Sequence, residues 1–251
     1  MKRLFLALAL LLIPATAALA QTPDLNTLIP QGGGSAAARI IQLVALLTVL
    51  SVAPGLLIMV TSFTRFIVAL SFVRSGLGLQ STPANLVLIS LALFMTFYVM
   101  APTFDRAWQD GVQPLMDNKI DEKEAFPKII EPFRQFMLKQ VRDKDLRLFE
   151  ELAPPDLKPA PAPSTGPAPE VEIRILIPAF MISELRRGFE MGFLIALPFL
   201  VIDIIVSTLT MSMGMMMLPP SVISLPIKVL FFVLIDGWNM LIGSLVRSYS
   251  G

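Results

Sequence analysis

The chain has 251 residues, 55% hydrophobic and 16% charged, with a formal net charge of +1 and mean hydropathy +0.72. A soluble domain carries about 25% charged residues, so the apolar runs here point to membrane segments rather than one large core. There is no cysteine and no histidine, which excludes disulfides, thiolate or imidazole metal sites and Cys or His nucleophiles, and the near-neutral charge speaks against nucleic acid.

Lys2 and Arg3 form a positive n-region, Leu4 to Ile13 an apolar h-region, and Ala18-Leu19-Ala20 a small-x-small site before Gln21. This pattern predicts a cleavable signal peptide over residues 1–20, cut between Ala20 and Gln21. Residues 21–39, with Gly32-Gly33-Gly34, read as a periplasmic tether. Apolar stretches at Ile40–Met59 and Ala84–Met100 predict a first hydrophobic helical hairpin over 40–104. Arg65 and Arg74 fall in the link between these two spans. Residues 105–190 read as a periplasmic helical segment. Its apolar positions Phe133, Phe136, Met137, Val141, Leu148, Phe149 and Leu152 keep the helical period behind Pro132, which suits a first helical position. A Pro/Ala-rich linker over 153–169 holds seven prolines and is expected to be extended and solvated. Ile173–Ile177 reads as a short extended piece, and Pro178 as the start of a helix running into the third span. Met191–Met211 and Val222–Val246 predict a second hydrophobic hairpin over 191–251. Each stretch has the roughly 17–25 residues that a bilayer demands. The predicted fold class is an all-α membrane protein of four hydrophobic helices in two hairpins. Started from outside, it has periplasmic N- and C-termini, and the acid-free link with Arg65 and Arg74 lies inside, as the positive-inside rule prefers.

The last hairpin carries Asp203 in its first helix and Lys228 and Asp236 in its second. An unpaired charge at such depth costs about 2.5–3.5 kcal/mol, so a partner is expected. Counted from a turn near Met217 at 1.5 Å per helical residue, Asp203 and Lys228 differ in depth by roughly 4–5 Å, Asp203 and Asp236 by about 7–8 Å. A lysine stem covers the smaller gap by snorkelling, so Asp203–Lys228 is the better pair. Such a pair suits either helix packing or a proton or ion relay, as in an ion-coupled transporter using Asp203 and Asp236. The two aspartates lack the Gly-x-Gly-Asp setting and matched depth of an intramembrane aspartyl protease, and nothing marks an oxyanion site near Ser224 and Lys228. No phosphate-binding loop is present. At the turn, four of the five residues Met213–Met217 are methionine, followed by Leu218-Pro219-Pro220. Flexible thioether chains can fill a tight turn or, in a ring of copies, close a pore.

Several runs in order resemble the FliP family: Pro178–Phe193 (PAFMISELRRGFEMGF), Pro198–Asp203 continuing to Met213–Pro220, Leu225–Lys228 and Asp236–Trp238, with Thr61–Arg65 also similar. The resemblance covers about residue 40 to the end. It implies a core, pore-forming subunit of the flagellar type III protein-export gate in the bacterial inner membrane, with no enzymatic activity and no cofactor. Implied partners are several copies of itself, FliQ-like and FliR-like membrane subunits, other flagellar export apparatus proteins, unfolded flagellar substrates and membrane lipids. The injectisome counterpart of the gate is the neighbouring alternative. The resemblance also implies that the hairpins are lifted partly out of the bilayer on assembly, so the four-span arrangement is an insertion topology. Carried onto matching positions, it implies that Met213, Met215, Met216 and Met217 belong to a methionine gasket and that Asp203, Lys228 and Glu184 support assembly. For Glu184 the candidate partners are Arg186 or Arg187 of a neighbouring copy.

Overall fold

The computed structural model describes residues 36–79, 81–155, 171–214 and 219–250. The signal peptide with its Ala20–Gln21 cut, most of the tether, the proline-rich linker from residue 156 onward and Met215, Met216 and Met217 lie outside the described residues. Every regular element among the described residues is helical. The chain divides into two compact units, Met1–Ala53 and Pro54–Gly251. Helix α1 (Ala36–Val60) runs across that division, and its part in the first unit exposes Ile41, Val44, Leu47 and Leu50.

In the second unit α2 (Phe63–Gly76) is followed by α3 (Asn85–Ala107), which passes through the π-helical turn Trp108–Val112 into the single turn α4 (Gln113–Met116). Then come α5 (Glu122–Gln140), α6 (Asp143–Leu152), α7 (Ile173–Ser212), α8 (Pro220–Leu234) and α9 (Gly237–Arg247). Asp121 caps α5 by accepting the Glu124 backbone N–H at 3.0 Å, and Glu122 and Glu124 in the first turn complement the helix dipole. By length and composition Asn85–Met116 and Ile173–Ser212 can cross a membrane, and α8 with α9 would make a third span if the 63° bend between them is counted as one.

Several sequence expectations change here. The first hydrophobic region, 40–104, holds three helices rather than two, because the link with Arg65 and Arg74 is itself α2. The helix expected to start at Pro132 starts at Glu122, since Asp121 supplies a cap that Pro132 cannot, and it ends at Gln140 instead of running to Leu152. Ile173–Ile177 is helical, not extended. Ile175 and Leu176 are buried, and Leu176 packs with Phe180 against Met137 of α5, so tertiary packing overrides the β-branched run. The span expected as Val222–Val246 breaks at Ile235–Asp236, where Asp236 adopts φ 51° and ψ 51°.

The core forms where α2 lies along α7. Phe66, Ala69, Leu70 and Val73 of α2 meet Ala196 and Phe199 of α7, and Phe232, Leu241 and Leu245 close the far side. Phe199 stands edge-on to Phe232 with centroids 5.9 Å apart and an interplanar angle of 62°, an arrangement that adds about 0.5–1.5 kcal/mol beyond area burial. The close approach of the two helices depends on Gly188, Gly192 and Ala196, one turn apart on α7. A Cβ on Gly192 would stand 2.8 Å from Phe72 Cβ and 3.3 Å from Ala69 Cα. Gly192→Leu therefore has to push α2 away, and a loss of about 1–3 kcal/mol is expected. Thermal unfolding in detergent reads this. Gly55→Ala is the control, because nothing lies within 4 Å of its Cβ position. Equal melting of the two variants would rule out the close-contact account.

Candidate functional site

Two polar nodes interrupt this apolar interior. The larger one is built on Arg65, which α2 turns toward α7 and whose side chain is 0% exposed. Its Nε donates to Glu184 Oε2 at 3.0 Å, and its Nη2 forms a short ion pair with Glu184 Oε1. Nη2 also donates to Gln140 Oε1 of α5 at 3.2 Å, and Nη1 to Ser248 Oγ at 2.8 Å. Tyr249 closes the node from the other side. Its hydroxyl donates to Glu184, its ring lies under the guanidinium with Arg65 Cζ 3.7 Å from the centroid, and Phe136 stacks on it at 5.9 Å. Burial pushes the Tyr249 phenol well above its usual range, so it stays a donor. Arg187 Nη1 reaches Gln140 Oε1 at 2.9 Å. Thus α2, α5, α7 and the turn after α9 meet around one guanidinium.

A second contact seats α6 beside it. Ser183 Oγ donates to Asp145 Oδ2 at 2.8 Å and accepts the Arg142 backbone N–H at 3.1 Å. Burying these groups is tolerable only because each is partnered.

This geometry changes two expectations. Glu184 has Arg65 of its own chain as its direct ion-pair partner, in place of Arg186 or Arg187 of a neighbour. Arg65 is also not an inside-facing surface charge. It shares hydrogen bonds with Gln140 and Glu184, both from the segment expected on the opposite side of the membrane. A hydrocarbon layer of about 30 Å cannot lie between bonded groups, so the four-span arrangement stays what the sequence reading made it, a topology of insertion and not of the folded node.

The smaller node joins α7 and α8. Lys228 Nζ forms a short ion pair with Asp203 Oδ2 and donates to the Gly76 carbonyl at 3.2 Å. The Lys228 side chain is 6% exposed and that of Asp203 is 46% exposed. Both border a cavity of about 610 Å³ whose apolar wall includes Phe72, Phe193 and Leu200. Asp236 sits exposed at the bend between α8 and α9, and among the described residues it forms no ion pair and no side-chain hydrogen bond. The last turn of α7 carries Met211 and the turn after it Met213, both more than 60% exposed, followed by Gly214 at φ 72°.

The comparisons bear on the whole of this region. The model of the FliP family matches residues 46–245. The chain belongs to the FliP family. Flagellar biosynthetic protein FliP of Agrobacterium fabrum is 59% identical over 253 residues, covering 100% of both chains. That of Rhizobium meliloti is 62% identical over 216 residues, 86% of each chain, and that of Bacillus subtilis 51% over 209 residues, 83% of this chain and 91% of its own. The FliP-family match takes in α2, α7 and α8, hence both polar nodes apart from Ser248 and Tyr249.

Arg65 as the partner of Glu184, and Gln140, Ser248 and Tyr249 around it, are not among the residues the sequence singles out. A signal existed for the first. Arg65 is a cation in an otherwise apolar stretch with no acid nearby in sequence, and such a residue requires a distant counter-charge.

Proposed function

We propose that this chain is a pore-forming subunit of the flagellar protein-export gate. In the bacterial inner membrane, copies of it assemble with FliQ-like and FliR-like subunits and pass unfolded flagellar proteins. The observation that carries this reading is the FliP-family match along residues 46–245, with relatives named as flagellar biosynthetic proteins. The physical features agree with it. α7 exposes Leu194, Leu200, Val201 and Ile204 on the same stretch as the half-exposed Asp203. Lipid covers the first four without cost but leaves a carboxylate poorly solvated, so a protein neighbour or water suits this stretch better. The methionines flanking the turn suit a seal that repacks around passing chains. The chain itself does no covalent chemistry in this reading.

Deleting the gene should abolish motility and secretion of flagellar substrates, and the native gene should restore both. Replacing Met213, Met215, Met216 and Met217 with alanine in the full complex should raise ion leak across the membrane while the complex still assembles. Unchanged conductance in an assembled mutant would remove the gasket role.

A further inference from the structure

Beside the Arg65 node lies a cavity of about 540 Å³ between α3, α5 and the turn after α9. Arg106 of α3 and Lys139 of α5 both line it, and no carboxylate does. Among the described residues neither cation forms an ion pair or a side-chain hydrogen bond. Tyr98 adds a hydroxyl one and two turns before Pro102 and Arg106 on the same face. Gln140 adds a third kind of donor. Its Oε1 is taken by Arg65 and Arg187, which leaves its amide N–H2 for the cavity it lines. Val99 and Phe136 form the apolar floor. Two unneutralised cations and two neutral donors over an apolar floor fit a phosphate group attached to something apolar.

The depth of the cavity says what that is. From Asn85 to Phe104 α3 runs 20 residues without a charge. At 1.5 Å per residue this spans about 30 Å, the thickness of the hydrocarbon layer. With that stretch across the layer, Arg106 would stand at headgroup level. Below it α3 leaves Phe94, Phe97 and Tyr98 exposed by 79%, 61% and 72%, a surface on which acyl chains can lie. Free inorganic phosphate shares the charge chemistry but has no use for that surface.

We propose that this cavity is a binding site for the phosphate headgroup of an anionic phospholipid, held by Arg106 and Lys139 with Tyr98 and Gln140, its acyl chains along α3. The site requires that α3 crosses a bilayer and does not require export, so loss of protein export in an assay leaves it standing, and loss of lipid binding leaves the export reading standing.

The test uses the full chain in nanodiscs of equal parts phosphatidylglycerol and phosphatidylcholine, with retained lipid counted by native mass spectrometry after extraction. The native chain should retain phosphatidylglycerol preferentially. Removing both charges with Arg106→Gln and Lys139→Gln should reduce that preference on the order of tenfold, as expected for two cations at a membrane surface. The charge-keeping pair Arg106→Lys and Lys139→Arg should keep it. Equal retention of the two lipids by the native chain overturns the proposal without reference to any variant, which covers the case of a variant that fails to fold. So does thermal stabilisation by millimolar inorganic phosphate without lipid preference, which would assign the site to a free anion. If the charge-removing variant keeps its lipid but loses a co-purifying protein, the cavity is a protein interface and the lipid assignment falls.

Discussion

Glu184→Ala should destroy the fold around α2 and, with it, motility. The Arg65 guanidinium is fully buried, and of its acceptors only Glu184 carries charge. With the carboxylate gone, a buried cation is left with Gln140 and Ser248, and breaking such a pair costs about 3–5 kcal/mol. That is a large share of the roughly 5–15 kcal/mol by which a typical protein is stable. Arg65→Leu should be comparably damaging, because Glu184 would keep only the Tyr249 hydroxyl as a close donor. The double variant Arg65→Leu with Glu184→Leu should recover much of the loss, since removing both charges also removes the need to bury them. Melting of the four species in detergent gives the coupling between the two residues. Single variants that melt with the native protein would show that the pair does not hold α2 to α7.

Asp203→Ala and Lys228→Met should be unequal in effect, although they break the same contact. Lys228 is nearly buried, so loss of Asp203 strands an ammonium whose remaining acceptor is the Gly76 carbonyl. Loss of Lys228 strands a carboxylate that is almost half exposed and open to water or a neighbouring subunit. The first change should therefore destabilise by a few kcal/mol and the second by less, because exposure discounts the cost. A charge swap, Asp203→Lys with Lys228→Asp, should restore assembly only in part, since the shorter acid at 228 cannot serve the Gly76 carbonyl. Equal losses from both single variants, in melting temperature and in recovery of the export complex, would contradict this asymmetry.

What could be read in advance divides by range. Helical character and apolar stretches are local and periodic, and they stand in the sequence. Depth counting from the turn selects Lys228 over Asp236 as the counter-charge for Asp203, and the structure holds that contact. Both residues lie on helices joined by one short connection, the setting in which a depth count applies. Arg65 and Glu184 are separated by 119 residues and, among the described residues, by the four helices α3 to α6, and no local rule spans that distance. The break in the last apolar stretch was legible but passed over. Asp236-Gly237 is a turn dipeptide, yet averaging hydropathy across Val222–Val246 hides two residues among many apolar ones. The helical Ile173–Ile177 was not legible, because its conformation is set by Met137 on another element.

The bonds from Arg65 to Ser248 join residues 183 apart, which has a consequence for biosynthesis. A ribosome delivers α2 long before the turn after α9. Throughout that interval the guanidinium must stay hydrated or be held by a chaperone or insertase, and the aromatic seal of Tyr249 over it forms last. Final burial of the early helix thus waits until Ser248 and Tyr249 have been made, and a transcript truncated shortly before codon 248 should yield a product marked for proteolysis rather than a working subunit.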